Sequence, residues 1–139
     1  MYIDTSVAVK LFTREPDSDA CESTVGGFTL VSSELTYCEL RSALRSKKRD
    51  GLIPAETMTA AWALFERYLE ERRIHLMALN WDIVQEATAV LGKLPAPLIL
   101  RTLDALHLAT FARIAVGPFF TKDKRLRAAA QHLKLPLAE

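Results

Sequence analysis

Short β-rich runs alternate with longer stretches of helical periodicity along this chain, and that alternation limits its fold more than any other feature. The β-rich runs are Tyr2 to Asp4, Phe28 to Val31, Ile74 to Leu79 and Phe119 to Thr121. A helix-length segment separates each run from the next. Antiparallel neighbours can be joined by a two-residue hairpin, whereas strands joined through a helix lie parallel. The expected architecture is therefore a three-layer α/β/α domain, with a central, mainly parallel sheet of four or five short strands flanked by helices.

The helical segments have recognisable starts and stops. Ser6 is placed to cap a helix over Val7 to Phe12, which Glu15-Pro16-Asp17 breaks. A second short helix, Asp17 to Val25, ends at Gly26-Gly27. Ser32-Ser33 offers caps for a helix from Glu34 to Lys48, and Asp50-Gly51 makes a turn. Pro54 suits the first turn of a helix reaching Arg72. Asn80 caps Trp81 to Leu91, Gly92 to Pro97 is a loop, and a helix runs from Thr102 to Val116. Asp123 to Leu133 is the last helix, and Leu135 to Leu137 is a candidate edge strand. No repeat, low-complexity tract or linker interrupts the 139 residues, so a single domain, 1–139, is expected.

Half of the residues are hydrophobic, enough for a core without disulfides or a structural metal. Cys21 and Cys38 form no CxxC or Cys/His pattern, which argues against a zinc site. No basic and apolar leader precedes Tyr2, and no charge-free run approaches the ~18 residues of a membrane span. A cytoplasmic protein without membrane contact is expected. The formal net charge of +1 means that any nucleic-acid binding must come from a local basic patch.

Four acids stand where the pattern does not favour acids. Asp4 ends the first strand, and Asp123 closely follows the run Phe119 to Thr121. In a parallel sheet both arrive at the carboxyl edge, where ligands bind. Asp104 shares a helical face with Leu108, Phe111 and Ala115, opposite Arg113. Glu39 is flanked on its face by Leu35 and Ala43. A carboxylate on an apolar face needs a partner, and several together repel one another. A divalent cation answers both objections, and Mg²⁺ prefers oxygen ligands. Each acid also has an ordinary reading. Asp4 and Asp123 can be helix caps, Asp104 an early-turn acid, and Glu39 the partner of Arg41, Arg45 or a distant Lys.

The same segments resemble the PIN domain, and within it the VapC toxins of VapBC toxin–antitoxin modules. Tyr2-Ile3-Asp4-Thr5-Ser6 resembles the family's opening strand. Ser33-Glu34-Leu35 through Glu39-Leu40 and Ala43-Leu44 resembles the segment carrying its acidic Glu. Arg101 through Ala109, with Asp104 followed by Ala-Leu-His-Leu-Ala, resembles its most recognisable motif. Thr121-Lys122-Asp123-Lys124-Arg125-Leu126 resembles its Thr-x-Asp motif. The four segments keep the family order and span nearly the whole chain. The resemblance implies that Asp4, Glu39, Asp104 and Asp123 are catalytic, metal-binding acids holding one or two Mg²⁺ or Mn²⁺ ions. It further implies an endoribonuclease acting on RNA, a homodimer, and a cognate VapB-like antitoxin. A PIN-type nuclease acting on DNA or RNA-processing intermediates, or a catalytically silent PIN module, are the alternatives.

Several residues are candidates for support. Ser6 and Thr121 place hydroxyls beside the acids, although each can equally be a cap or turn residue. Arg101 precedes Asp104 by one turn, and Lys124 and Arg125 follow Asp123; all three can meet phosphate. The basic run Arg45, Lys47, Lys48, Arg49 lies at a helix end, where a solvated face is the simpler reading. His107 is expected in the core or supporting the acids, rather than as a general base. The loop from Gly92 to Leu100 adjoins the acids and is a candidate for shaping substrate choice. The helix from Pro54, with Met58, Ala61, Trp62, Phe65 and Leu69 at helical spacing, is expected to be core. Together with the helix before it, it can also form a groove.

Overall fold

The computed structural model describes residues 1–114 and 117–139. In chain order the elements are β1 (Tyr2–Ile3), α1 (Thr5–Phe12), α2 (Ser18–Val25), β2 (Leu30–Ser33), α3 (Leu35–Arg49), α4 (Ala55–Glu70), β3 (Ile74–Met77), α5 (Trp81–Lys93), α6 (Thr102–Ile114), β4 (Phe119–Phe120) and α7 (Lys124–His132). The four strands form one sheet in the order β3-β2-β1-β4, with every pairing parallel. The expected three-layer architecture is present. The anticipated edge strand is reduced to a single parallel bridge between Phe119 and Leu137.

Period-two alternation sends the strand side chains into two cores. Ile3 and Phe120 face a core built with Val7, Leu40, Leu44 and Phe65 from α1, α3 and α4. Tyr2 and Phe119 face the other, built with Leu108, Phe111 and Leu126 from α6 and α7. Even two-residue strands are thus fixed in register, because a slip of one residue would exchange their faces. Small residues, Ala87 on α5 with Ala105 and Ala109 on α6, let those two helices approach closely.

The order of the strands creates a crevice. From β1 the chain winds to β2 and β3 on one side, and β4 then joins the opposite side of β1. The winding reverses between β1 and β4, and ligands of such sheets bind at the carboxyl ends beside that reversal. Asp4 follows β1 and Thr121 follows β4, with Ile3 paired to Phe120.

Several boundaries differ from the sequence expectations. Asp4 is the N-cap of α1 rather than the last residue of β1, so the helix starts at Thr5 and Ser6 lies inside it. The second strand is Leu30–Ser33, not Phe28 to Val31. Leu30 pairs with Ile74 and Ser33 with Met77, whereas Phe28 is half-exposed. The sheet tolerates buried Ser32 because its hydroxyl donates to the Ile3 carbonyl at 2.7 Å and meets Thr36 at 2.7 Å. Ser33 Oγ does accept the Leu35 N–H at 3.2 Å, but α3 begins at Leu35 with Glu34, not Ser33, as its N-cap. Helix α5 continues through Gly92 to Lys93, which shortens the following loop. The expected continuation of α6 to Val116, and with it the place of Ala115, lies outside the described residues.

Two helix ends show how sequence sets local structure. Beyond α3, Leu52 N–H bonds to Lys47 C=O at 2.9 Å and Gly51 N–H to Lys48 C=O at 3.1 Å. Gly51, at φ 72°, supplies the left-handed residue this closure requires. At the start of α5, Asn80 Oδ1 accepts the Ile83 N–H at 3.1 Å. Asn80→Ala is expected to cost about 1 kcal/mol and lower the thermal midpoint by about 3–5 °C. A melt followed by circular dichroism checks this, and an unchanged midpoint would show that the cap contributes nothing.

Candidate active site

The site begins with Asp4, which β1 delivers to the crevice and α1 then fixes as its cap. Its Oδ1 accepts the Ser6 hydroxyl at 2.8 Å and the Val7 N–H at 3.4 Å, and its Oδ2 accepts the Thr121 hydroxyl at 3.0 Å. It is only 4% exposed. Burial pushes its carboxyl above the ordinary range, against the opposing pull of the donors from Ser6, Thr121 and Val7.

Thr121 and Ser6 knit the two strand ends together. Thr121 Oγ1 donates to Asp4 and accepts the Asp123 N–H at 3.0 Å. Ser6 Oγ donates to Asp4 and accepts the Lys122 N–H at 2.9 Å. Asp123 caps α7, its Oδ1 accepting the N–H groups of Arg125 at 2.8 Å and Leu126 at 3.1 Å. The capping readings of Asp4 and Asp123 are therefore correct, and they coexist with a place in the cluster. Capping uses Oδ1 of Asp123 and leaves Oδ2, which has the Arg125 guanidinium at 3.8 Å.

Helices α3 and α6 bring the other two acids. Glu39 does not pair with Arg41, Arg45 or a Lys. Its Oε2 meets His107 Nε2 at 2.9 Å and accepts the Thr5 hydroxyl at 2.5 Å. Burial raises the Glu39 carboxyl, but the His107 and Thr5 hydrogen bonds outweigh it and hold the group below its ordinary range. Behind it, His107 Nδ1 meets the Tyr2 hydroxyl at 2.9 Å. Asp104 is half-buried, and the one hydrogen bond its side chain makes among the described residues is a long contact of 3.4 Å from the Arg101 N–H to Oδ2. Burial and then the charge of Asp123 push its carboxyl above the ordinary range.

Thr121 links Asp4 to Asp123, Thr5 next to Asp4 reaches Glu39, and Asp104 lies near enough to Asp123 to feel its charge. Among the described residues no Lys or Arg forms a salt bridge with Asp4, Glu39 or Asp104. Another partly buried acid, Glu15, is by contrast paired with both Lys10 and Lys47. Glu39 Oε1 and Asp104 Oδ1 receive no hydrogen bond from the described residues. An all-oxygen set of this kind suits a hard divalent cation. Among the described residues no three His, Cys, Asp or Glu side chains stand close enough to enclose a metal directly. A cation here would keep part of its water shell, as Mg²⁺ prefers.

Of the supporting candidates, Ser6 and Thr121 are integral to the cluster. What steadies Asp104 is the Arg101 backbone N–H rather than the guanidinium; Arg101 and Lys124 are exposed. Sequence reasoning missed the contacts of Tyr2, Thr5 and Thr36. A Tyr in a fully buried strand was the available signal, since its hydroxyl must find a partner.

Asp104 gives a direct energetic prediction. Its raised folded pKa means that stability falls as pH rises from the ordinary carboxylate range through that value, and the penalty persists above it. Asp104→Asn removes the charge and is expected to stabilise the metal-free protein at neutral pH by roughly 0.5 kcal/mol, allowing for partial exposure. A lowered thermal midpoint would contradict this.

Comparison with known proteins supplies the family. A model of the PIN domain matches residues 1–131. The chain is 33% identical over 136 residues to ribonuclease VapC46 of Mycobacterium tuberculosis, covering 96% of this chain and 92% of that protein. It is 34% identical over 142 residues to ribonuclease VapC35 of the same organism, covering 97% and 93%. The fold is similar to that of M. tuberculosis VapC20, described as a sarcin-ricin loop cleaving toxin, at a TM-score of 0.70 and 15% identity over 92% of this chain and 93% of that one. It is also similar to a chain of a toxin–antitoxin complex from Klebsiella pneumoniae, at a TM-score of 0.64 and 15% identity over 94% and 92%. With the family model matching residues 1–131 of this chain, and two ribonucleases related over nine-tenths of their length, the chain belongs to the PIN domain family and, within it, to the VapC ribonucleases.

Proposed function

We propose that this protein is a divalent-metal-dependent endoribonuclease, the toxin of a type II toxin–antitoxin pair. The observation that carries the reading is the buried Asp4 carboxylate at the crevice between β1 and β4, held by three donors and, among the described residues, bridged by no Lys or Arg. Asp4, Glu39, Asp104 and Asp123 would hold Mg²⁺ or Mn²⁺, as one ion or two. A bound divalent cation supplies charge neutralisation at the scissile phosphate and activation of water.

The chain's own residues prepare that chemistry. Ser6, Thr121 and the α1 N-terminus fix the Asp4 carboxylate before substrate arrives, so little reorganisation is needed at reaction. Arg101, Lys124 and Arg125 are exposed and flank the acids in sequence, where they would position the backbone phosphates without reading sequence. Attack of water on phosphorus forms one P–O bond and breaks the bond to the 3′ oxygen, which takes up a proton. The products carry 5′-phosphate and 3′-hydroxyl ends.

A cognate antitoxin is the expected protein partner, and a homodimer the expected assembly. The groove between α3 and α4, with Tyr37, Met58 and Trp62 on its wall and Arg41, Arg45 and Lys48 along it, suits an acidic, partly apolar segment of such a partner. Arg41 stacks over Trp62 at 5.0 Å. The test of substrate class is parallel digestion of an RNA and a DNA strand of one sequence with Mg²⁺. Cleavage of RNA alone, leaving 5′-phosphates, is expected. Cleavage of DNA alone would replace the reading with that of a DNA nuclease.

A further inference from the structure

Glu39 is tied to the sheet by a hydrogen-bonded chain that the cluster itself does not explain. The chain runs from the Tyr2 hydroxyl to His107 Nδ1 at 2.9 Å, and from His107 Nε2 to Glu39 Oε2 at 2.9 Å. Tyr2 is fully buried and His107 only 2% exposed. The phenol ring is wedged between Phe111 and Phe119, with centroids 5.6 and 5.4 Å away. It has no freedom to follow the imidazole, so the imidazole must conform to it.

Hydrogen-bond logic fixes the direction of the chain. An ionised carboxylate only accepts, so His107 Nε2 must carry the proton that faces Glu39. That leaves the Nδ1 lone pair of a neutral ring facing the Tyr2 hydroxyl at 2.9 Å, and the hydroxyl can donate to it. The opposite tautomer would set the Nε2 lone pair against a carboxylate oxygen 2.9 Å away. Thr5 reaches the same Oε2, so both protein donors fall on one oxygen and Oε1 stays free of them.

We infer that Tyr2 and His107 are positioning residues: the Tyr2 hydroxyl anchors the His107 ring through Nδ1, so that Nε2–H holds Glu39 by Oε2 and leaves Oε1 free for a cation. This rests on the nuclease reading only in what Oε1 is used for. The tautomer and the grip on Glu39 are properties of the metal-free protein. Partners that orient a metal ligand from behind typically change metal affinity or activity by about 10–100-fold when removed.

The test begins with ¹H–¹⁵N correlation spectra of the imidazoles in metal-free protein, comparing wild type with Tyr2→Phe. At about pH 8.5, above the ordinary imidazole range, wild type is expected to show His107 as the Nε2–H tautomer with a hydrogen-bonded Nδ1, and Tyr2→Phe to lose the hydrogen-bond signature at Nδ1. Calorimetry with Mn²⁺ alone should then show about ten-fold weaker binding in Tyr2→Phe. His107→Gln carries an amide N–H of its own toward Glu39 and does not depend on the phenol. Adding Tyr2→Phe to His107→Gln should therefore weaken Mn²⁺ binding little further, a dependence that packing alone would not produce. An Nδ1–H tautomer in wild type, or full and additive effects of the two substitutions, would overturn the inference. A wild type with the expected tautomer and no Mn²⁺ binding would support the positioning chain and overturn the metal reading.

Discussion

Asp4→Asn is expected to abolish RNA cleavage while the protein still folds. The amide keeps the shape of the carboxyl and can retain the bonds that Oδ1 accepts from Ser6 and the Val7 N–H. It loses the charge, which burial already disfavours in the folded protein. Folding therefore has little to lose, since relief of a buried charge offsets the altered bond to Thr121. Catalysis loses the most enclosed of the four acids. A fall of about 10³-fold, roughly 4 kcal/mol at the transition state, is the expected scale. Single-turnover cleavage beside a thermal melt separates the two effects. A folded variant cleaving within about ten-fold of wild type would remove Asp4 from the site.

Saturating Mn²⁺ is expected to raise the unfolding free energy substantially, by about 2.7 kcal/mol at a hundred times its dissociation constant. The cause is the repulsion between acids that the fold brings together without Lys or Arg bridges to Asp4, Glu39 or Asp104. The effect should depend on pH in a defined direction. Asp4 and Asp104 both have folded pKa values above the ordinary carboxylate range. Protons therefore displace the cation at a higher pH than ordinary carboxylates would allow, and the stabilisation fades as pH falls through those values. Glu39, held below its ordinary range, stays ionised longer and does not set the limit. Melts with and without Mn²⁺ from about pH 7 to about pH 4 would show this. A stabilisation that is constant over that span, or equal in Asp104→Asn, would contradict it.

What the sequence made legible was the periodicity and the misplaced charge. Alternating runs sufficed for a parallel three-layer domain, because a helix between two strands leaves few other topologies. Asp4 and Asp123 were placed by chain order alone, since the residues after β1 and β4 must reach one edge. The end of β1 was harder to read. Asp4 is compatible with either strand or cap, and the Val7 N–H that its side chain accepts decides for the cap. The register of β2 was misjudged because Phe28 has high strand propensity, whereas Ser32 and Ser33 have little. Their hydroxyls meet partners in the sheet and in α3 that only the fold supplies. Asp104 was legible from its helical face. The partner of Glu39 was not: His107 lies 68 residues away, and helical periodicity describes only what one helix presents to another.

The central claim is that these four acids make a metal-dependent ribonuclease, and its most direct test is digestion of total cellular RNA by the purified protein, stripped of any bound antitoxin. The digestion would be run with Mg²⁺ and again with excess chelator, with the cut ends mapped by sequencing. Discrete cuts bearing 5′-phosphates, present with Mg²⁺ and absent with chelator, are the predicted result. Intact RNA from folded, Mg²⁺-supplied protein, or cuts that persist in chelator, would contradict the account.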